Sequence, residues 1–516
     1  MPEPSILCSL EESIMSSTTR RDFLKTAAAS AAFGAAGIGF AAERAKRKEK
    51  KAVAAVPVKD VAPSERVRIA VVGINGRGRE HIAQFARMPG VEVAYLVDPD
   101  TRVFESCCKI VEQAGGKRPT CVQDLRKALD DKELNAISIA TCNHWHSLAT
   151  VWGCQAGKDV YVEKPCSHNV FEGRQCVEAA RKYNRIVQHG TQSRSDANWA
   201  RTVAAVKSGK YGKLLVAKAY ASKVRWSIGF KETADPPAGF DFNLWLGPAL
   251  EQAYHENIVH YNWHWFWDFG NGEIGNQGVH QMDIAQWGIS DFAKQPISVM
   301  SIGCRYVDTA NFRDQGQTPN MQLAVFDFGG TLVVFEVRGL NGKKGPGGKE
   351  FKQQVDNEFY VEQGMLKGGK FYPKGSSQGE PLPADLALGI RPVNHFQNFI
   401  DCVRSRKQDQ LNAEILEGHR SSAMCHLANI SYRLGRHVPF EEKPKELGDN
   451  EHIAASVQAI EEQLVGALGM DLKKFTYTLG AKLQFCPKEE KFLDNAEANK
   501  LLTRPYRAPF VVPEKV

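Results

Sequence analysis

A lysine and a histidine, far apart in this 516-residue chain, each stand where chemistry is expected. Lys164 ends the run Asp159-Val160-Tyr161-Val162-Glu163-Lys164-Pro165, an apolar strand closing in Glu-Lys-Pro. Strand C-termini line the ligand crevice of a doubly wound sheet. An ammonium there can hydrogen-bond a substrate hydroxyl and tune its proton transfer. His280 lies in the glycine-rich stretch 270–283, where Asn276, His280 and Asp283 recur at i, i+4 and i+7 and share one helical face. Such a histidine can take the proton of an alcohol, with Asn276 and Asp283 beside it to hold substrate. The bland alternatives are a surface Glu-Lys pair and a hydrogen-bonded core histidine.

A third group points to a cofactor. Gly73-Ile74-Asn75-Gly76-Arg77-Gly78 follows an apolar run at 67–72, and Asp98 closes a second apolar run at 91–97. Strand, glycine turn, helix and strand ending in a carboxylate form the dinucleotide-binding fingerprint, with the acid about 20 residues past the last glycine. The glycines admit a pyrophosphate to the backbone, and the helix N-terminus holds it. The strict spacing would place glycine at 75. Asn75 tolerates positive φ better than most residues, so the turn survives. Asp98 accepts hydrogen bonds from the adenosine ribose and repels a 2′-phosphate, which favours NAD and leaves NADP as the lesser candidate. The segment 141–146 follows another strand, so Thr141, Asn143 and His146 are expected on the nicotinamide side, and Glu163 joins the same crevice edge. Asn143 as a simple helix cap is the alternative. Trp263 and Trp265, with Trp267, alternate as on one face of an extended segment. They can stack on sugar C–H surfaces or simply fill core.

Hydrophobic residues at 43% and charged residues at 24% are ordinary for a soluble globular protein. A net charge of +7 is mild, and the basic run 44–51 reads as a solvated linker, so no nucleic-acid partner is expected. The twelve cysteines show no Cys-x-x-Cys spacing; no metal site is expected, and the thiols should be free and mostly buried. Arg20-Arg21-Asp22-Phe23-Leu24-Lys25 before an Ala/Gly-rich run looks like a twin-arginine export signal, with cleavage near Ala41-Ala42. Residues 1–42 are therefore read as a signal peptide and 43–66 as a linker. No later run approaches the ~20 apolar residues of a membrane span.

These groups need elements to position them. Strands at 67–72, 91–97, 136–140, 159–162 and 185–189 alternate with helices at 79–88, 102–114, 146–156 and 170–183. That alternation predicts a parallel, doubly wound Rossmann sheet over 67–190. Strands at 214–223, 297–306, 322–328, 331–338 and 358–362, two of them joined by Gly329-Gly330, predict a mainly antiparallel sheet. Helices follow at 394–405, 414–434 and 452–464. The fold class is α/β: a Rossmann domain, an α/β domain over 191–440 with an open, mainly antiparallel sheet, and an extension at 441–516 packing on the body.

Together the segments 73–78, 141–146, 163–165 and 270–283 resemble the Gfo/Idh/MocA family, which includes glucose–fructose oxidoreductase and inositol dehydrogenase. The resemblance covers about residues 67–440, and 394–404 with 417–421 look like its exported bacterial branch. It implies that Lys164 is the catalytic lysine and His280 the catalytic histidine, and that the second sheet mediates homo-oligomer contacts. Many members carry aspartate where this chain has Asn276, and proline where it has Cys142. The resemblance implies an exported NAD(P)-dependent oxidoreductase acting on CH–OH groups of a sugar, sugar derivative or cyclitol. Its partners would be a small carbohydrate substrate and the twin-arginine translocase. Its location would be the periplasm or cell envelope, with the cofactor loaded before export and tightly held. Two other readings stay open: a redox-neutral NAD-dependent glycoside hydrolase or lyase, and a non-catalytic sugar-binding protein.

Overall fold

A computed structural model of the chain describes residues 66–289, 295–307, 313–386, 389–441 and 444–516. The twin-arginine leader, and the linker up to residue 65, lie outside the described residues.

The first sheet is built from β1 (Val67–Val72), β2 (Val91–Val97), β3 (Thr120–Val122), β4 (Ala136–Ile139), β5 (Asp159–Val162) and β6 (Val187–His189), in the order β3-β2-β1-β4-β5-β6. Every pairing is parallel. Five helices cross between these strands: α1 (Gly78–Phe85), α2 (Phe104–Gln113), α3 (Leu125–Leu129), α4 (Asn143–Gln155) and α5 (Val170–Lys182). The near-continuous apolar runs exist because both sheet faces are covered. Successive side chains of β1 alternate: Ile69 and Val71 pack with Phe85 and Leu96, while Ala70 and Val72 pack with Ile137, Ile139 and Val151. Strand β3 and helix α3 had no strong apolar period to announce them. The side chain of Asn169 accepts from Glu172 N at 2.9 Å and starts α5 cleanly.

After α6 (Ala197–Lys207) the chain enters a second, twelve-stranded sheet. Its central strands are β7 (Leu214–Ser222), β8 (Ser298–Cys304), β9 (Met321–Asp327), β10 (Leu332–Arg338) and β11 (Gln354–Val361), with the short β12 (Gly364–Lys367), β13 (Lys370–Pro373) and β14 (Glu380–Pro381) at one edge. Pairing is antiparallel except between β7 and β10. Gly329 and Gly330, both at positive φ, make the β9–β10 hairpin, where Phe328 N donates to Thr331 O. The short α7 (Phe242–Leu246) belongs to a separate apolar cluster with Phe240, Tyr254 and Phe269, whereas one face of the sheet is closed by α8 (Gly278–Gly288) and the late helix 415–433: Met282, Ala285, Met424 and Leu427 share a core with Ala217, Phe326 and Phe335.

Two late segments do more than decorate. The helix α9 (His395–Ser405), which the sequence grouping assigns to 191–440, turns back onto the Rossmann sheet, because its apolar face (Phe396, Phe399, Ile400) packs against Phe85 and Tyr161. After α10 (Ile415–Arg433) come β15 (Arg436–Pro439) and α11 (Glu451–Gln463), then β16 (Thr476–Leu479), β17 (Leu483–Cys486), β18 (Lys491–Phe492) and α12 (Ala496–Lys500). Strands β16 and β17 both pair with β8, so the last segment extends the sheet as well as lying on the body. Ile453 and Ile460 of α11 cover Val216, Leu323 and Val334 on the sheet face opposite α8. Among the described residues no helix is long and apolar enough to cross a membrane, and the described cysteines are free thiols.

Candidate active site

A cavity of about 400 Å³ opens at the C-terminal edge of the parallel sheet. Its walls carry residues within two positions of the ends of β1, β2, β4 and β5: Gly73, Asp98, Thr141 and Lys164. The crevice expected from strand topology is therefore where the cavity lies.

The glycine turn is shaped for an anion. Gly73 has φ of 79°, and a Cβ there would sit 2.7 Å from the Thr141 backbone. A Cβ on Gly78 would fall on the Gly73 carbonyl oxygen, so this glycine keeps α1 tight against β1. Gly76 has open space beside its Cα. The backbone N–H groups of Asn75, Gly76 and Arg77 take no partner among the described residues, and Asn75, Gly76 and Arg77 line the cavity. Unpaired donors before a helix N-terminus fit a pyrophosphate. Asp98 is buried at the same wall; one carboxylate oxygen accepts from Ile74 N at 2.9 Å and the other from Asp100 N at 3.0 Å. Burial pushes its carboxyl up, with those two N–H groups opposing. Its remaining lone pairs can meet a ribose. The residues present therefore fit a dinucleotide.

At the other end Lys164 and His280 converge. Lys164 Nζ donates to Asn276 Oδ1 and to Asn276 O, each at 3.1 Å. Burial lowers the Lys164 pKa, opposed by the charges of Glu163 and Glu273. His280, in the first turn of α8, lines the same cavity, and its ring takes no hydrogen-bond partner among the described residues. Burial, and then the Lys164 charge, push its pKa down to about 3. At neutral pH it is an uncharged imidazole, so its ring keeps a lone pair that can meet a hydroxyl proton.

Glu163 is held rather than free. It accepts from Arg77 Nε, from His81 Nε2 and from Gln192 Nε2, each at 3.0 Å. Burial opposes its charge, but the His81 hydrogen bond and Arg77 hold the carboxyl well below the usual range. It organises Arg77 and Lys164 around the opening. His146 also lines the cavity, yet both its ring nitrogens face backbone oxygens, Pro165 O at 2.5 Å and Thr141 O at 3.0 Å. It braces two loops instead of offering a nitrogen to nicotinamide. Asn143 opens α4 from inside the helix, and its Nδ2 donates to Asn271 Oδ1 at 3.0 Å, so it is no simple cap.

Two expected substrate residues are corrected. Asp283 is fully buried against Arg194 (2.8 Å) and Ser421 (2.6 Å) and does not line the cavity. The helical face ends because Asn276 precedes the first residue of α8, so the three side chains do not align. Trp265 is buried under the Arg225 guanidinium, 5.0 Å from its ring centre, and is also off the cavity. The tryptophan segment is not extended: Asn262–Trp265 is a 3-10 turn that sends successive side chains apart. Trp263 does line the cavity, stacked on His264 with ring centres 3.6 Å apart.

Sequence reasoning missed Gln192, His260, Tyr261 and His264, all of which line the cavity. Irregular segments carry no period to align them. The cluster of histidine and tyrosine at 254–264 was the available signal, hidden by the tryptophans. His264 Nδ1 meets Tyr261 O at 2.6 Å; a carbonyl only accepts, so the proton is on Nδ1 and Nε2 keeps its lone pair.

Comparison with known proteins accords with this geometry. Residues 67–191 match the NAD-binding Rossmann fold of the Gfo/Idh/MocA oxidoreductase model. Residues 206–313 and 349–464 match the C-terminal alpha/beta domain of the same family. A glycosyl hydrolase family 109 protein of Shewanella pealeana is 28% identical over 220 residues, 40% of this chain and 47% of that protein. The chain spans about half the length of the curated relatives it matches. Among solved structures, a levoglucosan dehydrogenase in complex with NADH and levoglucosan superposes with TM-score 0.50 at 14% identity, covering 70% of this chain and 96% of that one. The WlbA dehydrogenase of Chromobacterium violaceum, in complex with NADH and UDP-GlcNAcA, superposes with TM-score 0.50 at 17% identity, covering 69% and 91%. At these identities the likeness is one of fold.

Proposed function

The chain belongs to the Gfo/Idh/MocA oxidoreductase family and carries its NAD-binding Rossmann domain; from that premise we propose that it oxidises or reduces a carbinol carbon of a sugar, sugar derivative or cyclitol. The observation that carries this reading is the convergence of the Lys164 ammonium and the uncharged His280 imidazole on the wall of the nucleotide cavity. When bound, NAD supplies the two-electron acceptor or donor for the substrate carbon. The turn 73–78 holds the pyrophosphate, and Asp98 receives the ribose hydroxyls. Lys164 donates a hydrogen bond to the reacting hydroxyl and stabilises the developing alkoxide. His280 accepts the hydroxyl proton in oxidation and returns it in reduction. Tyr261, exposed at the cavity, offers a flat face to a sugar ring, and the buried Trp263 lines the same wall.

The twin-arginine motif supports export of the folded, NAD-loaded protein to the periplasm or cell envelope. A protein that leaves the cytoplasm with its cofactor must restore that cofactor in place. This favours paired-substrate transfer or redox-neutral chemistry over exchange with free NAD.

Redox-neutral glycoside cleavage is the second reading, favoured by the glycosyl hydrolase relatives and by the uncharged Asn276 beside Lys164. One experiment separates the two. The purified protein is denatured and its supernatant assayed for NAD(H); the native protein is then given candidate sugars and aryl glycosides while nicotinamide absorbance is followed. A change in the reduced band with sugar supports oxidoreduction. Aglycone release without a net change moves the assignment to hydrolysis. Absence of any nucleotide, bound or added, sinks both.

A further inference from the structure

A second cavity, about 210 Å³, lies among the start of α5, the loop before α8, the end of α10 and the segment after α12. Its charged lining is mostly basic: Arg433, Lys500 and Arg504 face one carboxylate, Asp268. Lys500 pairs with Glu497 at 2.7 Å, whereas Arg433 forms no ion pair among the described residues and rests over the Trp267 ring, 5.4 Å from its centre. Arg504 Nη1 donates to Asp268 O at 2.9 Å and to His168 Nδ1 at 3.1 Å. A guanidinium only donates, so Nδ1 of His168 is the acceptor and its proton sits on Nε2. That Nε2–H is buried and has no partner among the described residues. Burial, reinforced by the Arg504 charge, keeps this imidazole neutral. His426, 3% exposed, lines the same cavity; its Nε2 meets Ser167 Oγ at 3.1 Å and its Nδ1 has no partner among the described residues. A buried donor without an acceptor is costly, and two arginines beside it, facing the single carboxylate of Asp268 with no close ion pair to Arg433, make an oxyanion the natural acceptor.

We propose that this cavity binds a small molecule carrying a carboxylate or a phosphate on a body no larger than a monosaccharide. Arg433, Arg504 and the His168 Nε2–H receive the oxyanion, and Trp267 offers its face to the apolar side of the ring. The site is separate from the nucleotide cavity: the Asn143–Asn271 hydrogen bond stands between them, Asn143 lining one and Asn271 the other. The proposal does not rest on the chemistry assigned to Lys164 and His280.

The test is calorimetric titration of the full-length, NAD-loaded protein with D-glucuronate, D-glucose 6-phosphate and uncharged D-glucose. At least one anion is expected to bind at least tenfold more tightly than glucose, and Arg433→Gln is expected to weaken it at least tenfold while leaving NAD bound. The two anions tell carboxylate from phosphate recognition. Arg504→Gln, at a second of the receiving groups, provides another variant should Arg433→Gln fail to fold. No binding of either anion, binding no tighter than glucose, or anion binding unchanged by both substitutions overturns the proposal.

Discussion

Lys164 and Asn276 are joined twice: the lysine Nζ donates to both the side-chain and the backbone oxygen of the asparagine, at 3.1 Å each. Asn276 passes the contact on, its Nδ2 donating to Glu273 at 3.2 Å. Arg225 clamps Glu273 in turn, with contacts of 2.6 and 3.0 Å. The ammonium is aimed by a neutral amide, and the nearest negative charge on that side is kept one residue away. This lets burial hold the Lys164 pKa below its ordinary value.

Removing that ammonium should stop chemistry without emptying the cofactor site. Lys164→Met is expected to lower kcat/KM by at least about 10²-fold, with NAD still bound in equal amount by titration. Unchanged turnover would take Lys164 out of the mechanism. Asn276→Asp puts a carboxylate against the same ammonium and should raise its pKa. An activity that needs protonated Lys164 is present below that pKa and lost above it. The alkaline limb of the kcat/KM profile should therefore move to higher pH in the variant; a limb that stays or moves down would refute the pairing.

Asp98 should decide which nicotinamide nucleotide is preferred. Asp98→Ala removes the acceptor for the ribose hydroxyls and also strands the N–H groups of Ile74 and Asp100. Affinity for NAD should fall about tenfold or more, about 1.4 kcal/mol. Affinity for NADP should fall less, because the repulsion of its 2′-phosphate goes too. Parallel titrations with the two nucleotides measure the ratio, and a preference that does not narrow would count against Asp98 as the ribose residue.

The Rossmann half was legible because its signals are local. Apolar runs such as 67–72 and 136–139 are buried on both faces, and the glycine turn follows one of them directly. Glu163-Lys164-Pro165 was found because a strand end is a topological address. The far wall of the cavity was not legible. Within residues 254–265 only Glu256–Ile258 and Asn262–Trp265 are regular, as short 3-10 turns, and Tyr261 and His264 reach the cavity through tertiary folding that no period encodes. Trp265 and Asp283 misled because spacing on an assumed strand or helix was extended past where the element exists. Strand β16 was missed because Thr-Tyr-Thr-Leu is four residues long, and it is held by β8, far away in sequence.

The glycines of the turn should separate stability from binding. A methyl on Gly78 meets the Gly73 carbonyl oxygen, so Gly78→Ala should force β1 and α1 apart and destabilise by about 1–3 kcal/mol. A methyl on Gly76 meets nothing within 4 Å, so Gly76→Ala should leave the melting temperature nearly unchanged. It would nonetheless occupy the space a pyrophosphate needs, and NAD binding should weaken. Thermal melts with and without NAD test both. Equal destabilisation by the two substitutions in the absence of NAD would contradict the packing described.

Buried neutral histidines should make the fold acid-sensitive. Burial pushes His144, His264, His280 and His426 down to about 3, and His395 down to about 4. In the unfolded chain a histidine titrates near 6.5. Between those values the unfolded state binds more protons, so stability rises with pH across that window and is lost as pH falls through it. Each such histidine costs up to about 2 kcal/mol at pH 5. Glu172, Glu273 and Asp283 act in the opposite sense, since burial pushes their carboxyls up and the folded state keeps protons longer. Their window opens at the ordinary carboxylate range, about 4, and runs upward, so these three groups offset part of the effect of the more numerous histidines. The melting temperature should therefore drop between pH 7 and pH 5. His426→Gln, which removes one of these groups, should make that drop smaller. A melting temperature that is flat or rising over the same interval would show that these rings are protonated in the folded protein.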